Sequence, residues 1–237
     1  MHILITGCGR GIGYETALEL SGRSGIKVLA LSRSETSLLR LQQEALARNK
    51  SAQVIPLLFD LEQGSLQSLF ALIREKTGRV DVLINNAAMA LVKPFEQLSE
   101  QDFEQVYKVN VFRPAMLIRA LIPLMESPPE KRTHIVNISS IGGFQGSVKF
   151  PGLSAYSSSK AAICSLTECL AVELNEKNIS INALCLGAVN TEMLKQAFPG
   201  YQAPVNPDEM GRYIAWFARN GHHFQNGQVI PVTLSTP

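Results

Sequence analysis

Tyr156 and Lys160 stand four residues apart in a stretch of helical period, so a phenol and an ammonium lie on one helix face. Of the five tyrosines in the chain, only Tyr156 has a lysine at that spacing. A phenol exchanges protons near neutral pH only if its pKa falls well below about 10, and a neighbouring ammonium does this by favouring phenolate. Upstream, Ile138, Ser139 and Ser140 end an apolar run, where a hydroxyl could hold a substrate oxygen beside that phenol. A serine there could equally be a plain polar strand end.

A second group of residues suits a phosphate. Thr6-Gly7-Cys8-Gly9-Arg10-Gly11-Ile12-Gly13 joins the first apolar run to the first helical stretch. Glycine is needed where the chain turns tightly and where backbone must approach a pyrophosphate at a helix N-terminus. The strict G-x-G-x-x-G spacing is missing, and the pattern is G-x-x-x-G-x-G, from Gly7, Gly11 and Gly13. A structural turn between strand and helix is the alternative. After the second apolar run, Ser32 and Arg33 stand where an acidic side chain would read a ribose 2′-hydroxyl. A guanidinium there favours a 2′-phosphate, and Arg10 could add a second positive charge, so the expected cofactor is NADP (NADPH) in preference to NAD. Arg33 as a solvated loop charge is the competing view.

Short β-rich runs near residues 3–6, 28–32, 54–59, 82–85, 135–139, 181–186 and 229–232 alternate with helical stretches near 12–24, 35–49, 64–77, 100–126, 156–177 and 207–219. This is the pattern of repeated βαβ units. It predicts an α/β fold: a Rossmann-like, doubly wound, seven-stranded parallel sheet with helices on both faces, its first strand central, forming one domain over residues 1–237. Ligands should then lie beyond the carboxyl ends of the strands. The aperiodic stretches 140–155 and 187–206 both follow strands on that side and are the expected substrate loops.

The 237 residues carry a net charge of +2 with no run of like charges reaching five, which argues against nucleic acid or a polybasic membrane contact as partner. Cys8, Cys164, Cys169 and Cys185 form no CxxC pair, and with four scattered histidines they suggest no metal site. The chain enters its first strand at once, without a signal-peptide pattern. The most apolar helical stretch, Val109–Met125, is interrupted by Arg113, Arg119 and two prolines. A soluble, cytoplasmic protein with a small-molecule partner is expected.

Over nearly its whole length the chain resembles the short-chain dehydrogenase/reductase family. The pieces that carry the likeness are Thr6–Gly13, Asp60, Asn85-Asn86-Ala87, Asn110, Ser140 and Tyr156-Ser157-Ser158-Ser159-Lys160, all in the family's order. The resemblance implies a catalytic tetrad of Asn110, Ser140, Tyr156 and Lys160. Tyr156 would be the general acid/base and Ser140 would orient the carbonyl or hydroxyl. Lys160 would bind the nicotinamide ribose while lowering the Tyr156 pKa, and Asn110 would hold a relay water. It also implies cofactor contacts from Gly7, Gly9, Arg10, Gly11, Ile12, Gly13, Ser32 and Arg33. Asp60 and Leu61 would meet adenine, Asn86 and Ala87 the adenosine ribose region, and Gly187, Val189 and Thr191 the nicotinamide carboxamide. A homodimer or homotetramer through the helices near 100–126 and 156–177 is implied as well.

Some positions depart from the family pattern. Ala88 stands where the family has glycine, so a methyl could press on the nicotinamide, and Leu186-Gly187 replaces Pro-Gly. The interval from Ser140 to Tyr156 is longer than usual, which suggests a bulged loop and leaves Ser139 as an alternative to Ser140. Ala88, Met89, Phe144, Phe150, Leu153, Met193, Leu194, Phe198 and Tyr201 would line an apolar pocket or pack within the loops. The expected activity is NADPH-dependent reduction of a ketone or aldehyde to an alcohol, reversibly. A non-catalytic nucleotide-binding sensor or scaffold, or an epimerase or dehydratase of related fold, are the alternatives.

Overall fold

The computed structural model describes residues 1–128 and 130–236. Seven strands, β1 (His2–Thr6), β2 (Lys27–Ser32), β3 (Gln53–Leu58), β4 (Val82–Asn85), β5 (Thr133–Ser140), β6 (Ile179–Leu186) and β7 (Val229–Val232), form one parallel sheet in the order β3-β2-β1-β4-β5-β6-β7. β1 is interior and β4 takes the middle place. Strand order reverses between β1 and β4, which opens a crevice at their carboxyl ends. The two edge strands each carry a proline, Pro56 and Pro231, where a missing N–H costs least.

Alternation along the strands assigns each side chain to a helix layer. Ile3, Ile5, Val28, Ala30, Val82, Ile84 and Val136 point to one face. There they meet α1 (Gly11–Ser21), α2 (Glu35–Arg48) and α8 (Pro207–Asn220) through Leu18, Leu41 and Ile214. Leu4, Leu29, Leu83, Ile135 and Ile181 point the other way. They meet α3 (Leu66–Lys76), α5 (Arg113–Met125) and α6 (Ser154–Glu173) through Ile73, Leu121 and Ala171. Each such Leu or Ile, fully buried, contributes about 1.5–3 kcal/mol.

Two predicted stretches come out differently. The helix expected over 100–126 is α4 (Glu100–Tyr107), a π-helical turn (Lys108–Phe112) and α5. Pro114 has no N–H to give the carbonyl of Asn110, so the α ladder cannot run through this point and widens instead. The 187–206 stretch holds a short helix, α7 (Glu192–Ala197), started by Thr191, whose hydroxyl accepts from Leu194 N at 3.2 Å. Among the described residues, no helix is long and apolar enough to cross a membrane, and no group of three or more His, Cys, Asp or Glu side chains could hold a metal ion.

Candidate active site

The loop between β1 and α1 is held open by glycines. Gly7 and Gly11 have φ of +76° and +62°, which side chains rarely tolerate. A Cβ on Gly13 would strike the Asn86 amide and lie 2.5 Å from the Gly7 carbonyl, so no larger residue lets α1 pack this closely. A Cβ on Gly9 would come within 2.7 Å of Ser32 Oγ at the end of β2. Helices α2, α3, α4, α7 and α8 are each capped by a Ser, Thr or Asn side chain, but α1 begins at Arg10 with no side-chain cap and no acidic residue in its first turn. Its first amides are therefore available to an anion. An open glycine cradle under an uncapped helix start fits a dinucleotide's pyrophosphate.

Asn86 builds this cradle from the β4 side. Its amide donates to the carbonyls of Thr6 (3.0 Å) and Gly7 (3.3 Å), and the Thr6 hydroxyl accepts from Asn86 N and Ala87 N, both at 3.0 Å. Asp60 takes Glu62 N at 2.8 Å and shapes the turn after β3 in which Leu61 is half-buried. Arg10 and Arg33 are exposed and, among the described residues, make no ion pair. Ser32 is buried and accepts from Ser34 N at 3.1 Å.

On the far side, Gly187 N donates to the Val232 carbonyl at 2.9 Å, and a Cβ there would strike the Thr233 side chain. Val189 is buried, while the Thr191 methyl would be the nearest neighbour of a Cβ on Gly11, at 3.6 Å. The 187–191 segment and the glycine loop thus face each other. The Thr191 hydroxyl, expected at a carboxamide, is already used as the α7 cap.

The expected tetrad converges at the carboxyl end of β5. The Ser140 hydroxyl accepts from Gly142 N at 3.2 Å and lies beside the Tyr156 phenol, whose pKa it pulls down. Strand alternation sends neighbouring Ser139 the other way: it is buried and donates to the Lys160 carbonyl at 2.8 Å. Lys160 is buried too, and its Nζ donates to the Ile138 carbonyl at 2.8 Å.

One expectation needs correction. Burial holds the Tyr156 phenol above its ordinary 10, with the Ser140 hydrogen bond pulling the other way. The expected lowering by Lys160 is not observed. The ammonium is aimed at Ile138, 5.9 Å from the phenol ring's centre, and burial draws its own pKa down to about 8 against the raising effect of nearby thiols. The side-chain amide of Asn110, the residue expected to hold a relay water, is occupied by protein partners. Nδ2 donates to the Met89 carbonyl and to Ser159 Oγ, both at 2.9 Å, and Oδ1 accepts from Met89 N at 2.8 Å.

Ser159, which the sequence reading passed over, is the clasp here. It donates to the Tyr156 carbonyl at 2.7 Å and ties the π turn to α6. Its signal was a serine three residues after the tyrosine, a spacing at which a hydroxyl bonds back to its own helix. Gly143 lets the turn after β5 rest on α6, since a Cβ would lie 2.5 Å from the Lys160 backbone.

Among the expected pocket residues, Phe150 and Phe198 bring the two aperiodic loops together, their rings edge to face at 5.1 Å. Phe144 packs instead against Cys164, Ala183 and Cys185, and the Tyr201 hydroxyl donates to Ser235 at 2.9 Å, so both serve loop packing. Ala88 is half-buried.

Comparison with known proteins agrees with this geometry. The short chain dehydrogenase family model matches residues 1–202. An L-2,3-butanediol dehydrogenase of Corynebacterium glutamicum is 30% identical over 97% of this chain and 95% of its own. Among solved structures, the Pseudomonas aeruginosa RhlG/NADP active-site complex superposes with a TM-score of 0.84 at 26% identity, covering 98% of this chain and 94% of that one. A 7α-hydroxysteroid dehydrogenase complexed with NADH and 7-oxo glycochenodeoxycholic acid superposes at 0.85 with 28% identity, covering 98% and 92%. The chain belongs to the short-chain dehydrogenase family, oxidoreductases that act on CH–OH or C=O groups with a nicotinamide cofactor.

Proposed function

We propose that the protein is an NADPH-dependent carbonyl reductase, reversibly an alcohol dehydrogenase, for a small and mostly apolar ketone or aldehyde. The observation that carries this reading is the meeting of the Ser140 hydroxyl and the Tyr156 phenol at the end of β5, one helical turn from Lys160. When bound, the nicotinamide supplies a hydride to the carbonyl carbon. Tyr156 gives its phenolic proton to the carbonyl oxygen, and Ser140 donates to the same oxygen where charge develops. A phenol that burial keeps protonated suits this direction of reaction. Lys160 has N–H groups beyond the one given to Ile138 and holds the cofactor's ribose. The glycine cradle and the start of α1 take the pyrophosphate, with Arg10 and Arg33 on the 2′-phosphate. Phe112, Met116 and Val172 are exposed on the π turn, α5 and α6, which supports a homodimer or homotetramer through those helices.

The test is a titration of NADPH against NADH, followed by NADPH oxidation over ketones, aldehydes, quinones and pteridines. With a substrate found, Tyr156→Phe should lower turnover by about 10²–10⁴ while NADPH affinity stays within about threefold. Full turnover in that variant would sink the assignment. A pure sensor of this fold would show nucleotide binding and no turnover with any carbonyl.

A further inference from the structure

Cys164 stands one turn beyond Lys160 on α6, and Cys185 is paired in register with Ser139 across β5 and β6. The two sulfur atoms are 3.5 Å apart. Cys164 Sγ also donates to Ser139 Oγ at 3.2 Å, and Ser139 in turn donates to the Lys160 carbonyl. Both thiols are buried, yet what packs over them is only partly buried itself: Phe144 from the loop after β5 and Val229 from the edge strand β7. Neither thiol has a part in the proton transfer above. The remaining cysteines lie elsewhere, Cys8 buried in the glycine loop and Cys169 exposed.

Two thiols held in contact on rigid elements need only about 1.5 Å of approach to reach the disulfide length of about 2.05 Å. Their chemistry is also unequal. A hydrogen bond that Cys185 can donate to the thiolate, together with the Lys160 charge and against burial, draws the Cys164 thiol below its ordinary value. Cys185 is pushed up by the same pairing and by burial. A thiol that ionises more readily beside one that keeps its proton is the arrangement of an attacking and a resolving cysteine.

We infer that Cys164 and Cys185 form a redox-active dithiol, a modification site that a peroxide-class oxidant closes to a disulfide. The Cys164 thiolate attacks one peroxide oxygen, the O–O bond breaks, and the departing hydroxide leaves as water with a proton. Cys185 then attacks the resulting sulfenic sulfur. The S–S bond forms, the S–O bond breaks, and the second water leaves with the Cys185 proton. The thiols lose two electrons and the peroxide gains two; a dithiol reductant reverses the change.

Closure pulls on α6, which carries Tyr156 and Lys160, and on β6, which runs into the 187–191 segment. It also removes the Cys164 donation to Ser139. The disulfide therefore changes nucleotide affinity, a consequence that rests on the nucleotide reading above, whereas the bond itself does not.

The experiment treats the full-length Cys169→Ser protein with hydrogen peroxide, counts free thiols in denaturant, and maps linked peptides without reduction. NADPH titrations by fluorescence are run before oxidation, after it, and after dithiothreitol. Expected are a fall from three free thiols to one, a Cys164–Cys185 linked peptide, and a reversible change in NADPH Kd of at least about threefold. Adding Cys164→Ala or Cys185→Ala should abolish the link. Oxidation of a still folded protein that leaves these two thiols unlinked overturns the site, and a mapped link with unchanged NADPH affinity overturns the coupling. If the reduced protein binds no NADPH, the nucleotide reading fails while the linked peptide still decides the site.

Discussion

His134 makes stability fall in mild acid. It lies fully buried on β5, its ring 5.5 Å from that of Phe217 and 5.2 Å from that of His222. Its Nδ1 is 3.0 Å from the Ala218 carbonyl, and its Nε2 is 3.0 Å from Asn182 Nδ2. The Asn182 amide is oriented independently, because its oxygen accepts from Gln228 N and its nitrogen donates to the Gln225 carbonyl, both at 3.0 Å. Nε2 must therefore accept, and the single proton sits on Nδ1. A second proton would face an N–H with nowhere to go. Burial accordingly drops the His134 pKa from 6.5 to about 3. With the folded value below the unfolded one, this contribution is complete above pH 6.5 and drains as pH falls toward the folded value, because only the unfolded chain takes up the proton. At about pH 5 the loss from this residue is about 2 kcal/mol, at 1.36 kcal/mol per pKa unit, against a total stability of about 5–15 kcal/mol. Urea unfolding at about pH 7.5 and pH 5, followed by far-UV circular dichroism and the emission of the single tryptophan, Trp216, measures it. His134→Gln keeps a donor for Ala218 and an acceptor for Asn182. It should start less stable through poorer packing, yet lose about 2 kcal/mol less between the two pH values. His222, lowered to about 4 chiefly by burial, acts in the same direction, so the parent-minus-variant difference is what isolates His134. A parent whose stability is flat over this range, or a variant that loses as much as the parent, would refute the reasoning.

Arg33→Ala should raise the NADPH Kd by about 10- to 100-fold, the worth of hydrogen bonds to a charged group, and leave NADH unmoved. Equal weakening of both nucleotides, or of neither, would remove Arg33 from the 2′-phosphate. Gly13→Ala puts a methyl into the Asn86 amide and the Gly7 carbonyl, and should cost about 1–3 kcal/mol in urea unfolding along with nucleotide affinity. A variant as stable as its parent would show that α1 can shift to make room.

The seven strands were readable because each is a short apolar run, the five inner ones buried almost throughout, and all seven fall where expected to within about two residues. What escaped the sequence reading has local causes. The break in the 100–126 helix turns on one absent N–H at Pro114, and periodicity does not register a missing donor. α7 has six residues, too few for a helical period to emerge, although Thr191 followed by Glu192 was a start signal. The tetrad residues were legible by type and order. Which way Ser139 and Ser140 point was not, because it depends on the register of β5 against its neighbours, and a one-residue slip would exchange their roles.

The motif residues divide into those that build the site and those left to bind. A side-chain amide or hydroxyl has few hydrogen-bonding positions, so each one spent on the fold is withdrawn from a ligand. Asn86 spends its amide on the glycine loop, Asn110 on Met89 and Ser159, and Thr191 on the start of α7. Replacing any of these should disturb the geometry first and nucleotide affinity only as a consequence. Among the described residues, Arg10 and Arg33 are exposed and the start of α1 has no side-chain cap, so none of the three meets such a demand. The Tyr156 phenol, beside Ser140, is raised above its ordinary pKa by burial. Electrostatic preparation of that phenol therefore does not reside in Lys160 as it stands, bonded to Ile138.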